Sequence, residues 1–216
     1  ATRMANQICR LIHQGLGKDE IKRELDMRAS TMMPVISPAK VDPAGGEFFG
    51  DPDAPVQLTA YLCLRCPYCS KLLPELYKQI AEGPLKGKVR LLLKPYPIKG
   101  HPGSTEAGLA AMAAQRQGKM IDFYLTAYRH FDDFSPEKMK SWALETGLDE
   151  QRFDKDYADP ATREALVASK KEGILNKVTA TPTLFINGRK IKTSMDIKTL
   201  ADLVEEQAER QAGKTK

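Results

Sequence analysis

The apolar positions of the chain alternate between strand-like runs and helical spacing. Apolar runs at 56–62 and 89–94 predict two buried strands, and the leucine spacing between them predicts a helix from Cys66 to about Ala81. Pro74 falls inside that helix and is expected to kink it. The order strand, helix, strand is that of a parallel βαβ unit, so the pattern predicts an α/β fold.

The second half of the chain is first helical and then strand-like. Spacing over about 104–176 predicts three or four helices inserted into the α/β domain. A short apolar strand at 184–186 leads into Asn187-Gly188, which is a strong hairpin signal, and a partner strand is expected at 189–192. A closing amphipathic helix is predicted over 195–211.

The first fifty residues differ in pattern from the rest. Residues 1–33 predict a helical N-terminal appendage that is too small to fold alone, so it packs on the main domain or on another copy of the chain. We expect a homo-oligomer assembled through residues 4–33. Prolines and a glycine pair make 34–50 a predicted linker, which leaves 51–212 as the main domain. The first residue is Ala rather than Met, which fits a chain whose leader has been removed.

Composition and charge exclude several classes of protein. The chain has 216 residues, of which 42% are hydrophobic and 28% charged, as in an ordinary globular domain. Lys and Arg (33) exceed Asp and Glu (28) only slightly, and no basic block is present. We therefore predict no nucleic-acid partner. No apolar stretch is long enough to predict a membrane span.

The candidate chemistry lies in a cysteine pair. Cys66-Pro67-Tyr68-Cys69 opens the predicted helix directly after a strand. The free N–H groups and the dipole of a helix N-terminus stabilise a thiolate, so Cys66 is the predicted attacking sulfur. Cys69, one turn later, is the predicted resolving sulfur, and Pro67 and Tyr68 are expected to tune the pair. A dithiol of this kind needs no cofactor.

The two other cysteines leave alternatives open. Cys63 is interpreted as a buried small apolar side chain, as a third redox-active thiol or as a partner for Cys9. The spacing Cys63, Cys66, Cys69 also resembles three ligands of an iron–sulfur cluster, with Cys9 as the fourth, and thiolates suit Cu(I). A binding module without activity is a further alternative. No metal residues are assigned, because the motif opens a helix instead of forming a cluster-binding loop.

A second motif, Thr181-Pro182, directly precedes the short strand. Such a proline is often an ordinary loop residue, but a cis peptide bond there would turn the chain sharply. Opposite the dithiol, its backbone would offer N–H and C=O groups to an extended substrate segment.

These motifs together resemble a known family. The chain is similar to the thioredoxin superfamily and, within it, to DsbA-like bacterial disulfide oxidoreductases over about residues 50–211; the matching segments are Cys66–Cys69, Pro74, Lys94–Pro97 with His101-Pro102, and Ala180–Gly188. The resemblance implies a thioredoxin fold with a helical insertion, a cis Pro182 facing the dithiol, and a periplasmic or otherwise extracytoplasmic location. It also implies protein substrates and a partner protein that resets the dithiol.

Two departures bear on the direction of electron flow. Many DsbA-like proteins have His where this chain has Tyr68, whose dipeptide resembles that of glutaredoxins and ScsC-like proteins. Thr181 before the proline resembles isomerases and reductases. With the N-terminal appendage, these features favour a disulfide isomerase or reductase over the alternative, a disulfide-donating oxidase.

Overall fold

The computed structural model describes residues 2–33, 38–193 and 195–212. In this part of the chain the strands are β1 Glu47–Gly50, β2 Val56–Leu62, β3 Val89–Pro95, β4 Thr183–Ile186 and β5 Arg189–Lys190. The helices are α1 Thr2–His13, α2 Lys18–Met32, α3 Pro67–Ala81, α4 Ser104–Gln115, α5 Met120–Arg129, α6 Lys138–Glu145, α7 Glu150–Ala158, α8 Pro160–Leu175 and α9 Ile197–Ala212. A short 3-10 turn, Phe131–Asp133, follows α5.

The strands form one mixed sheet in the order β1-β3-β2-β4-β5. β2 and β3 are parallel and joined through α3, which confirms the predicted βαβ unit. The other pairings are antiparallel, and the hairpin through Asn187-Gly188 joins β4 to β5. Six of the seven residues of β2 are buried, as expected of a central strand covered on both faces. The α/β class and the thioredoxin fold are thus confirmed.

Alternation along β2 divides the core between the two faces of the sheet. Leu58 and Leu62 belong to the large cluster that includes the apolar side chains of α3, α4 and α5. Tyr61 points the other way and packs with Tyr96 and Phe185, whose rings meet it edge to face. α8 and α4 pack against β3, while α3 contacts α9. The dithiol therefore opens a helix anchored in the main core.

The predicted linker, 34–50, is wrong at its C-terminal end. Residues 47–50 form β1, which pairs antiparallel with β3 at the edge of the sheet. Four residues are too few to show a hydrophobic periodicity, and the prolines and glycines that precede them indicate a linker instead of a strand. β1 begins directly after Gly46, where the backbone lies close to β3: a Cβ at this position would lie 2.7 Å from the carbonyl oxygen of Leu93. Residues 34–37 lie outside the described part, and the predicted partner strand at 189–192 is shortened to β5.

The N-terminal appendage packs on the main domain of its own chain. Three arginines of α1 and α2 bind carboxylates of α9: Arg3 with Glu205 and Glu209, Arg10 with Asp202, and Arg28 with Glu206. The side chain of Arg28 is almost fully buried and also donates to Gln7. Across the ranges that the structure describes, no helix is both long enough and apolar enough to cross a bilayer.

Candidate redox site

The two cysteines of the motif lie where β2 passes into α3. Cys66 is the N-cap of α3 and Pro67 occupies its first turn, where the missing N–H costs no helical hydrogen bond. Both cysteines are buried, at 2% and 0% exposure. Tyr68 between them is 73% exposed, so the motif presents a ring to solvent directly beside its sulfurs.

The second motif lies against the first. The Thr181–Pro182 peptide bond is cis, as the resemblance implies, and the Cys66 sulfur lies 3.2 Å from the carbonyl oxygen of Thr181, to which its protonated form donates. The Thr181 hydroxyl is buried and has no regular hydrogen-bond partner among the described residues. Residues 115 positions apart in sequence thus meet at one site.

The two sulfurs have opposite electrostatic surroundings. Hydrogen bonding from the Cys69 thiol is the largest effect that lowers the pKa of Cys66, to about 5. The Thr181 side chain and the N–H groups of Cys69 and Tyr68 lower it further, and burial opposes them. Burial raises the pKa of Cys69 far above its usual range, and the neighbouring Cys66 adds to this shift. Near neutral pH, Cys66 is therefore a thiolate and Cys69 a thiol.

A groove runs beside the exposed side of the motif. Its cavity of about 350 Å³ is mainly apolar and lies between α3, the cis-proline and the start of α9; the lining residues are Tyr68, Lys71, Leu72, Glu75, Pro182, Met195 and Ile197. Tyr68 and Pro182 border both the groove and the dithiol.

With this geometry in place, comparison with known proteins identifies the family. The family model described as Thioredoxin matches residues 44–206. The chain belongs to the thioredoxin family. Na(+)/H(+) antiporter NhaA 1 of Mycobacterium sp. (strain KMS) is 28% identical in an alignment of 171 residues that covers 76% of this chain and 27% of the antiporter. The chain thus spans about a quarter of the length of the curated relatives it matches.

Solved structures share the fold of this thioredoxin-family chain. Oxidised BdbD from Bacillus subtilis superposes with a TM-score of 0.70 at 19% identity, covering 80% of this chain and 97% of BdbD. The catalytic domain of Proteus mirabilis ScsC gives a TM-score of 0.65 at 18% identity, with 87% and 98% covered. At these identities the likeness concerns the fold.

The helical insertion of this thioredoxin-family domain supports the dithiol loop from behind. The hydroxyl of Tyr124 donates to the carbonyl of Leu62 at 3.2 Å, and that of Tyr128 donates to the carbonyl of Cys63 at 3.1 Å. The N–H of Cys66 donates to the same Cys63 carbonyl at 3.0 Å. The sequence gives only a helical aromatic pattern here, which indicates core packing and does not reveal these hydrogen bonds.

Arg65 behaves differently from what its position suggests. Next to Cys66 in sequence, it is expected to add positive charge near the thiolate. Instead its guanidinium stacks 3.9 Å from the ring centroid of Phe134 and donates to the carbonyl oxygen of Phe131 at 3.1 Å. Arg65 therefore links the dithiol loop to the insertion, because its guanidinium is attracted to the faces of two aromatic rings.

The remaining cysteines occupy different surroundings. Cys9 is exposed on α1, whereas Cys63 is buried at the end of β2 with its sulfur 3.4 Å from Nδ1 of His101. Within 2–33, 38–193 and 195–212, no group of three or more Cys, His, Asp or Glu side chains is arranged to hold a metal ion. The iron–sulfur alternative consequently finds no ligand set in that part of the chain.

Proposed function

We propose that this protein is a thiol–disulfide oxidoreductase that acts on protein substrates, with Cys66 as the attacking sulfur and Cys69 as the resolving sulfur. The observation that carries the proposal is the asymmetry of the pair: the pKa of Cys66 is lowered to about 5, while that of Cys69 is raised by burial. A thiolate of lowered pKa beside a thiol of raised pKa is the arrangement that attacks a disulfide and then releases the product.

The proposed reaction proceeds in two exchanges. The Cys66 thiolate attacks a substrate disulfide, forms a mixed disulfide and releases one substrate thiolate. Cys69 then gives up its proton and attacks the Cys66 sulfur, which releases the second substrate thiolate and leaves a Cys66–Cys69 disulfide. The reverse sequence oxidises a substrate dithiol. Forming the mixed disulfide removes the negative charge of Cys66, and this loss lowers the pKa of Cys69, since that charge helps to raise it.

In this proposal Thr181 and Pro182 hold the substrate chain. The Thr181 carbonyl already contacts the Cys66 thiol, and the Thr181 hydroxyl is buried beside the dithiol. An extended substrate segment running past Pro182 would place an apolar side chain in the groove beside Tyr68. We assign Pro67 and Tyr68 to tuning the dithiol, because Pro67 shapes the first turn of α3 and Tyr68 shields the sulfurs from one side.

We further propose that the protein is an isomerase or reductase rather than a dedicated oxidase. A Cys66 pKa of about 5 lies between those of thioredoxin, about 7, and DsbA, about 3.5, and favours neither extreme. Tyr68 and Thr181 favour the isomerase or reductase by resemblance.

The test combines activity with potential. The Cys9→Ser protein should reduce insulin in the presence of a reductant and reactivate scrambled ribonuclease, while Cys66→Ser should do neither. Equilibration in glutathione buffers should place the Cys66–Cys69 couple at about −180 mV, as in protein disulfide isomerase, or below it, as in reductases. A potential near −120 mV, with fast oxidation of reduced substrate and no reactivation of scrambled ribonuclease, would establish the oxidase alternative instead.

We also propose self-association through residues 4–33. Met4 and Ile12 of α1 are 46% and 56% exposed, while Gln7 and Leu11 are the buried residues of this helix, so two apolar side chains remain free to contact another copy of the chain. Light scattering should give a mass above one chain for the wild type and for Cys9→Ser, and a lower mass for Ile12→Glu. A monomeric wild type would contradict this assignment.

The location and the partner follow from the same chemistry. Exchange on protein disulfides is useful where disulfides persist, so we propose an extracytoplasmic, periplasmic site of action with a partner protein that resets the dithiol. The test treats living cells with a membrane-impermeant alkylating reagent after the outer membrane has been permeabilised. If Cys66 stays unmodified, the periplasmic location is wrong.

A further inference from the structure

Cys63 is a buried nucleophile for which the two-cysteine mechanism has no use. Its side chain is 1% exposed, and it stands three residues before Cys66, as Cys69 stands three residues after it. The chain therefore contains two overlapping Cys-x-x-Cys pairs that share Cys66.

The backbone between Cys63 and Cys66 is compatible with a disulfide. The N–H of Cys66 donates to the carbonyl of Cys63 at 3.0 Å, which closes a four-residue turn. Such a turn brings its first and last Cα atoms within about 7 Å, and disulfides bridge Cα separations of about 4.4–6.8 Å. A change in side-chain torsion could thus bring the Cys63 sulfur onto Cys66 without unfolding β2 or α3.

The Cys63 sulfur also lies among groups that can take its proton and stabilise its anion. Nδ1 of His101 is 3.4 Å away and can accept the thiol proton. Burial raises the pKa of Cys63, but the N–H groups of Arg65 and Ile98 and the nearby Lys170 ammonium oppose this rise. Two N–H donors, an imidazole and a nearby ammonium thus surround this sulfur, and such surroundings favour a reactive thiol.

We propose that Cys63 is a second resolving thiol, which attacks the Cys66 sulfur of a mixed disulfide and forms a Cys63–Cys66 disulfide. In this step Cys63 gives its proton to His101 and its sulfur bonds to Cys66. The bond between Cys66 and the substrate sulfur breaks, and the substrate leaves as a thiolate with the electron pair. Two thiols are oxidised and one substrate disulfide is reduced, so no other oxidant is needed. The inference rests on the proposed function, because it requires Cys66 to form the mixed disulfide.

The product would remain exchangeable. Cys69 can attack the Cys66 sulfur of the new disulfide, which regenerates the Cys63 thiol and gives the Cys66–Cys69 pair. Two thiols on opposite sides of one reactive sulfur would allow a mixed disulfide to be resolved by either of them, which helps an enzyme to release substrates whose disulfides are scrambled.

The experiment uses full-length protein with Cys9→Ser throughout and one equivalent of Ellman's reagent. Cys69→Ser should release two aromatic thiolates per reagent, the first on attack by Cys66 and the second on attack by Cys63. Cys63→Ser/Cys69→Ser should release one and retain a stable Cys66 adduct. Trypsin cleaves after Arg65, so a Cys63–Cys66 disulfide would appear as two linked peptides. If Cys69→Ser also stops at one thiolate, the proposal is overturned, and Cys69→Ala repeats the test with a different side chain.

Two further variants separate the possible failures. The protein with Cys63, Cys66 and Cys69 intact should release two thiolates and form a Cys66–Cys69 bond within a single tryptic peptide; if it does not, the proposed function fails as well. His101→Asn in the Cys69→Ser protein should leave the first release unchanged and slow the second by about 100-fold, as expected for loss of a general base. An unchanged second release would refute the role of His101.

Discussion

Replacing Cys69 tests the origin of the reactive thiolate. Hydrogen bonding from the Cys69 thiol is the largest effect that lowers the pKa of Cys66, ahead of the Thr181 side chain and the helix N–H groups. Cys69→Ala removes the donor, whereas Cys69→Ser keeps a hydroxyl in its place. A hydrogen bond to a charged group contributes about 1.5–3 kcal/mol, which corresponds to about one to two pKa units. The Cys66 pKa should therefore rise from about 5 to about 6–7 in Cys69→Ala and stay near 5 in Cys69→Ser.

The assay is the pH dependence of alkylation at Cys66. Reduced protein is pulsed with iodoacetamide between pH 3.5 and 9, and the modified fraction is read from the tryptic peptide 66–71, which separates Cys66 from Cys9 and Cys63. Each rate should follow one titration whose midpoint is the thiolate pKa. Circular dichroism checks that both variants remain folded at the lowest pH used.

One result would refute the reasoning. If Cys69→Ala and Cys69→Ser titrate at the same midpoint near 5, the thiolate does not depend on the Cys69 donor. The first turn of α3 would then supply most of the stabilisation, and Thr181→Val would become the informative variant. A midpoint shared near 7 would instead mean that serine cannot replace the thiol as a donor.

Three other predictions concern stability. Gly173→Ala should cost about 1–3 kcal/mol, because a Cβ there would lie 2.4 Å from the ring of Tyr96, while Gly100→Ala, which has open space, should be nearly neutral; urea unfolding compares them. Lys94→Ala should cost about 1.5–3 kcal/mol by the same assay, since it removes a buried ammonium that binds the half-buried carboxylate of Glu172 on α8 and the carbonyls of Asp42 and Ala44. The depressed pKa of Cys66 stabilises only the reduced form. This stabilisation is complete above the unfolded pKa of about 8.5 and declines as pH falls towards 5. The free energy of unfolding of the reduced protein, relative to that of the oxidised protein, should therefore rise by up to about 1.4 kcal/mol for each pH unit between about 5 and 8.5. Equal differences at pH 5 and 7 would contradict it.

The elements with strong local signals were predictable from sequence. β2, β3 and α3 begin and end within a residue or two of the predicted bounds, because two apolar runs and a helix-opening proline specify them locally. β1 was missed, since its four residues owe their strand conformation to pairing with β3 and carry no periodic signal of their own.

The site divides in the same way. Cys66 and Cys69 lie three positions apart in sequence and could be assigned from the motif alone. Their pairing with Thr181 depends on a contact across 115 residues, which only the resemblance suggested. No local sequence pattern predicts the hydrogen bonds of Tyr124 and Tyr128 to the dithiol loop, because an aromatic residue in a helix is first interpreted as a core residue.

The helical insertion explains why the dithiol loop can be both reactive and rigid. A thiolate at a helix N-terminus needs N–H groups held in fixed positions. The loop before it is anchored by the buried side chains of Cys63 and Leu64 and by contacts from the insertion. Tyr128 and the Cys66 N–H share the Cys63 carbonyl, and the stacking of Arg65 on Phe134 fixes the same turn from its other side. Removing the Tyr128 hydroxyl should therefore change the reactivity of Cys66 although the Cys66–Cys69 motif itself is unchanged. Through such hydrogen bonds to the backbone of the loop, an inserted domain can tune a dithiol whose sequence motif stays the same.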